Sequence, residues 1–286
     1  MKRVLTAAVL VPVVLVLVFL PLYLQWMFTA ATAVVAALAA WECLGLAQAK
    51  GANPPRIATA VAVLLLFVPF LQAPDQRYSI FDFLDAPAVF LLLSIALLVY
   101  SMFRSSTERM LPDATSSVFC LFYTGLTLVA LPELRERANG PSLVLYLLFV
   151  VWAGDIAAYY AGRAWGRRKL APRISPNKTW EGSIASVGGS MLVAAGLVGL
   201  AGLLTRWNIT VLFYADETVW YWVVLAVLVN IAAQLGDLAE SALKRSAGVK
   251  DSGAILPGHG GVLDRIDALL LAAPVLWYAQ VVHHSF

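Results

Sequence analysis

Long uncharged apolar runs, such as Val9–Leu20, recur along the whole of this chain. A helix crossing the hydrocarbon of a bilayer takes about 20 predominantly apolar residues. Runs of that kind lie at about 4–24, 26–48, 57–73, 87–103, 115–132, 143–162, 183–204, 219–237 and 264–283. Of the 286 residues, 61% are hydrophobic and 13% charged, whereas a soluble domain carries about a quarter charged residues. A water-soluble globule of this composition would expose far more apolar surface than it could bury. A disordered chain and a disulfide scaffold are excluded on the same ground. A membrane barrel would show short alternating strands rather than continuous runs. The expectation is an all-α polytopic integral membrane protein with about nine transmembrane helices.

Met1-Lys2-Arg3 before an apolar run resembles a signal peptide, but the run is too long for one and a second follows at once, so it reads as an uncleaved first helix. With the N-terminus in the cytoplasm, only Arg77, Arg135, Arg137 and Arg206 of the 20 Lys and Arg residues fall outside. The positive-inside rule favours that orientation. The net charge of +3 is too small to imply nucleic-acid binding. Cys43 and Cys120 both lie within apolar runs and read as small core residues. His283 and His284 read as a solvated tail.

The two halves differ in character. Residues 1–142 have nearly clean spans and short loops and read as a packing and dimer scaffold. Residues 143–286 hold most of the intramembrane acids and the long cytoplasmic loops, so the chemistry belongs there. A charge within a span is costly unless it pairs or lines a wet cavity. Glu42, Asp155, Asp237, Asp264 and Asp267 are in or beside spans. Glu42 stands alone, and reads as a packing or surface position. Asp155, Tyr159 and Arg163 follow at four-residue intervals, which puts them on one helical face running toward the cytoplasmic edge.

The loop beyond that stripe carries six cations in residues 163–178, then Ser175-Pro176-Asn177-Lys178-Thr179 before a helix expected to start near Glu181 or Gly182. Anchoring to anionic headgroups explains some of this charge. A prolyl break, hydroxyls and a lysine before a helix N-terminus additionally suggest phosphate binding. Further on, Asp237, Glu240, Ser241 and Lys244 share one helical face. Lys244-Arg245, Lys250-Asp251 and the glycine-rich Pro257-Gly258-His259-Gly260-Gly261 come next, then Asp264-Arg265 at the start of the last helix. Glycines let backbone N–H groups approach an oxyanion. Asp237 and Asp264 are expected to meet at one membrane face and share a divalent ion, for which oxygen ligands favour Mg²⁺. Lys244, Arg245, Lys250 and Arg265 would neutralise phosphates. These are the parts of a metal-assisted nucleotidyl or phosphoryl transferase. No P-loop or His-Glu-x-x-His motif is present. An ion-coupled transporter would instead show inverted repeats, and a CDP-alcohol phosphatidyltransferase an Asp-Gly-x-x-Ala-Arg run.

The stretch Ser241-Ala-Leu-Lys-Arg-Ser-Ala-Gly-Val-Lys-Asp-Ser-Gly-Ala-Ile-Leu-Pro-Gly-His-Gly-Gly-Val-Leu-Asp-Arg-Ile-Asp267 resembles the signature of the phosphatidate cytidylyltransferases, or CDP-diacylglycerol synthases. Asp155 to Tyr159, Gly162-Arg163 and Ser175 to Gly182 are similar to a second block of that family. The resemblance implies CTP and phosphatidate as substrates, giving CDP-diacylglycerol and pyrophosphate. It implies Mg²⁺, with room for a monovalent ion such as K⁺. It also implies a homodimer in the bacterial inner membrane, with the active site facing the cytoplasm. Combined with the chemistry above, it assigns Asp237 and Asp264 to the metal and Lys244, Lys250, Asp251 and His259 to catalysis. Substrate binding falls to Asp155, Tyr159, Arg163, Ser175, Asn177, Lys178, Thr179, Ser241, Arg245, Gly260, Gly261 and Arg265.

Overall fold

The computed structural model describes residues 11–71, 86–137, 139–209, 212, 218–255 and 260–283. Among them, seven helices are long and apolar enough to cross a membrane. We number the helices α1 (Gln25–Ala49), α2 (Arg56–Leu65), α3 (Ala86–Arg104), α4 (Met110–Glu136), α5 (Gly140–Trp165), α6 (Trp180–Arg206), α7 (Val219–Ser246) and α8 (Leu263–His283). The all-α polytopic expectation holds. Of the first expected span, residues 11–18 are helical and residues 1–10 lie outside the described residues.

Two expectations are corrected. The run at 57–73 forms only the ten-residue α2 and a 3-10 turn at Val68–Phe70. Pro69 lies inside that turn; it has no N–H to donate to the Leu65 carbonyl four residues back and its ring crowds that carbonyl, where the regular helix ends. The segment Ser175–Thr179 is not a simple prolyl break. It is strand β2 of an antiparallel hairpin with β1 (Lys169–Ala171), in the register Lys169↔Thr179 and Ala171↔Ser175. A two-stranded ribbon has a free edge, which tolerates Pro176.

The chain clusters into two packed units. One comprises the chain up to Glu133 together with Leu243–Ile266; the other comprises Leu134–Ala242 together with the chain from Asp267. In the first, α1 buries a stripe of small residues, including Ala33, Ala36, Ala40 and Cys43, and packs against α2. Helix α4 contains a π turn at Leu121–Leu126. There the hydroxyls of Thr124 and Thr127 donate to the carbonyls of Cys120 (2.8 Å) and Tyr123 (2.6 Å). Such hydroxyls re-satisfy carbonyls where the regular ladder is interrupted. Cys43 and Cys120 are both buried free thiols in mutual contact, their sulfurs 2.8 Å apart.

In the second unit α5 and α6 pack along much of their length. Their contact is built from glycine and serine, as close helix approach without a hydrophobic driving force requires. A β-carbon at Gly189 would lie 2.7 Å from that of Ala157, and one at Gly182 would lie 3.0 Å from the Ala158 carbonyl oxygen. Near the other end of the unit, Tyr146 donates its hydroxyl to the Trp222 carbonyl (2.5 Å), and both rings are buried.

Gly188 has open space where its β-carbon would be. Gly189→Leu should therefore lower the thermal midpoint in detergent by the equivalent of about 1–3 kcal/mol of overpacking. Gly188→Leu should leave the midpoint unchanged or raise it, as helix propensity favours leucine over glycine.

Candidate active site

Helices α5, α6 and α7 and the hairpin enclose a cavity of about 590 Å³ in the second unit. Helix α5 supplies Asp155, Tyr159 and Arg163 to its wall, in the stripe expected from their spacing. The β2 strand supplies Asn177, Lys178 and Thr179; α6 supplies Gly182, Ser183 and Ser186; α7 supplies Gln234 and Asp237. Seven residues singled out in the sequence from three separate stretches thus line one space. Ser175 lies on the same strand but is not among the lining residues.

The dominant charge contact is an ion pair, Lys178 Nζ to Asp237 Oδ2 at 2.5 Å. The side chains are 25% and 34% exposed, so this pair stands at a wet wall rather than in a dry core. Such a pair contributes little stability and can be broken by a competing charge at modest cost. Asp155 feels the charges of both Asp237 and Lys178. Ser241, one turn after Asp237, donates to its other carboxylate oxygen at 3.4 Å. Arg163 donates to the Tyr159 hydroxyl at 3.3 Å. Two carboxylates, Asp155 and Asp237, and two cations, Arg163 and Lys178, thus line one cavity.

The start of α6 is organised by its own residues. Thr179 is the N-cap, its hydroxyl accepting from Gly182 N–H at 3.2 Å. The Glu181 carboxylate accepts from the backbone N–H of Arg167 and Arg168. One amide at the start of α6 is therefore already capped by the helix's own N-cap residue.

Beneath Asp237 lies a buried polar ladder that sequence reading missed. Asn230 Nδ2 donates to the hydroxyls of Ser186 (2.9 Å) and Ser190 (2.8 Å), and Ser190 donates to the Val150 carbonyl (2.7 Å). Gln234 donates to Asn230 Oδ1 (2.6 Å), and Ser183 bonds to Gln234. The ladder ties α5, α6 and α7 together below the carboxylates. The signal was present: Ser183, Ser186 and Ser190 on one helix, and Asn230, Gln234 and Asp237 on another, recur at three- and four-residue spacing.

The remaining expected residues belong to the first unit. Asp264 accepts from Lys244 Nζ (2.6 Å), Ser252 N–H (3.0 Å) and Gly261 N–H (2.8 Å). Gly260 adopts a φ of +80° there, a conformation only glycine takes easily. Arg245 donates to the Val249 carbonyl at 3.4 Å, and Lys250, Asp251 and Arg265 are exposed. His259 lies outside the described residues. Glu42, set aside as a packing or surface position, is buried and bonded to the loop before α8.

No cluster of three or more His, Cys, Asp or Glu converges among the described residues.

The sequence profile of the cytidylyltransferase family matches residues 1–283, and the chain belongs to that family. It is 36% identical over 297 residues to the phosphatidate cytidylyltransferase of Haemophilus influenzae, covering 97% of each chain. It is 34% identical over 272 residues to that of Staphylococcus haemolyticus, covering 93% of this chain and 95% of the relative. The Brucella suis enzyme of the same name is 47% identical over 162 residues, which is 55% of this chain and 54% of that one. The match thus spans about half the length of the Brucella relatives.

Asn230→Ala should lower stability by about 1 kcal/mol, as expected for a hydrogen bond inside a membrane bundle. Combined with Ser186→Ala, the loss should fall short of the sum of the two single changes when thermal midpoints are compared.

Proposed function

We propose that this chain transfers a cytidylyl group from CTP to phosphatidate, releasing pyrophosphate and forming CDP-diacylglycerol. The observation that carries this reading is the Lys178–Asp237 pair in a cavity shared with Asp155, Tyr159 and Arg163. Full-length relatives named phosphatidate cytidylyltransferase support it. The setting is the bacterial inner membrane, with the cavity open to the cytoplasm and the protein dimeric.

Lys178 and Arg163 attract the triphosphate into the cavity. When the nucleotide enters, Lys178 exchanges its bond to Asp237 for one to phosphate, so its charge is never left unpaired. A phosphatidate oxygen attacks the α-phosphorus in line. The bond from that phosphorus to the bridging oxygen breaks, and its electron pair leaves with pyrophosphate. A phosphate monoester dianion is already a nucleophile, so the protein need not remove a proton. Lys244, Arg245, Lys250 and Arg265 would neutralise triphosphate charge, as the family resemblance implies, and orientation and charge neutralisation carry most of the rate.

Mg²⁺ fits the donor chemistry of Asp237 and of Asp264, each a carboxylate whose present cation is a lysine ammonium. When bound it would neutralise phosphate charge as a Lewis acid. K⁺ is proposed as an accompanying monovalent ion.

Purified protein in detergent should release pyrophosphate from CTP and Mg²⁺ only when phosphatidate is added. Release without the lipid, or none with it, contradicts the reading. Asp237→Asn and Asp264→Asn should each lower kcat by at least about 100-fold, the scale of losing one electrostatic group at a reacting centre. Their thermal midpoints should stay near wild type. Lys178→Gln should raise KM for CTP more than it lowers kcat, and wild-type affinity should weaken with added salt because the attraction is partly screened.

A further inference from the structure

Glu42 lies on α1, more than 200 residues in sequence from the loop it contacts. Its residue is 3% exposed. Its Oε2 accepts from the Ser252 hydroxyl at 3.1 Å and from Leu263 N–H at 2.8 Å. Gly253 and Gly261 press their α-carbons against it, and a β-carbon at either would overlap the carboxylate. The same loop wraps a second carboxylate. Ser252 donates its backbone N–H to Asp264 while giving its hydroxyl to Glu42. Gly261 likewise donates its N–H to Asp264 while its α-carbon faces Glu42.

A carboxylate that merely joined helices would take its donors from a neighbouring helix. Glu42 takes both from the loop and from the first residue of α8, and the loop has shaped itself to the carboxylate with two glycines. Burying a carboxylate is costly unless donors meet it, and the Ser252 hydroxyl and Leu263 N–H are held where they supply those donors to Oε2. That arrangement also aims the two amides at Asp264.

We propose that Glu42 is a positioning residue for Asp264, acting through Ser252 and Gly261. It rests on the proposed function, because it deepens the role given to Asp264 there. Glu42 touches no substrate. It fixes Ser252 and Gly261–Leu263, so the amides of Ser252 and Gly261 hold the Asp264 carboxylate in its orientation.

The test is hydrogen–deuterium exchange on the full-length protein in detergent, paired with steady-state kinetics. In Glu42→Ala, peptides containing Ser252 and Gly261–Leu263 should exchange at least about tenfold faster, while α5 keeps its protection. The kcat should fall at least about tenfold with KM for CTP within about twofold. Glu42→Gln should restore part of both, because its amide oxygen still accepts from Leu263 N–H and its NH₂ can donate to the Ser252 oxygen. Gly261→Ala should reproduce the Glu42→Ala pattern and add little to it in the double variant. Unchanged loop exchange in both Glu42 variants overturns the proposal, as does a loss of protection spread evenly over the protein. So does an undiminished kcat in Glu42→Ala. Should the wild-type protein make no CDP-diacylglycerol, the functional reading falls, and the exchange arm still decides whether Glu42 holds the loop.

Discussion

A carboxylate set among apolar helices is costly unless donors meet it, and the local architecture around Asp237, Asp264 and Glu42 follows from that requirement. Asp237 is met by Lys178 and Ser241. Asp264 is met by Lys244 and two backbone amides. Glu42 is met by a serine hydroxyl and the first amide of α8. Remove the donors and each acid would neutralise or pull its segment toward water. The glycines at 253, 260 and 261 are consequences of this need, since they let backbone come close enough to serve as the donor.

The two aspartates differ in a way that suits different tasks. Asp237 stands at a half-exposed wall and leans mainly on a single lysine, a partner that a competing charge displaces at modest cost. Asp264 is more shielded, meeting two backbone amides and the Lys244 ammonium. Each carboxylate thus holds a lysine ammonium beside it. Electrostatic preorganisation of that sort works best where little has to move when charge develops.

Much of this was legible in the sequence because membrane helices are written in long apolar runs and because intramembrane charges are rare. The stripe Asp155, Tyr159, Arg163 and the face Asp237, Ser241 were readable from helical period alone. What was hidden has physical reasons. The shortened α2 turned on Pro69, whose effect on a long apolar run is local. The hairpin was masked by a proline that an edge strand tolerates. Glu42 offered no periodic partner, since its donors lie beyond residue 250 and no spacing rule links them. The Asn230–Gln234 ladder was visible as spacing but was outweighed by nearby charges. Its hydroxyls and amides look ordinary until three helices bring them together.

The account stands on attack at the α-phosphorus of CTP by a lipid phosphate, and position-specific labelling examines that step itself. Protein incubated with Mg²⁺, phosphatidate and CTP labelled at the α-phosphate should move the label into the lipid fraction, while label at the γ-phosphate should leave entirely as pyrophosphate. Label from the γ-phosphate appearing in lipid would make the chain a kinase and contradict the account.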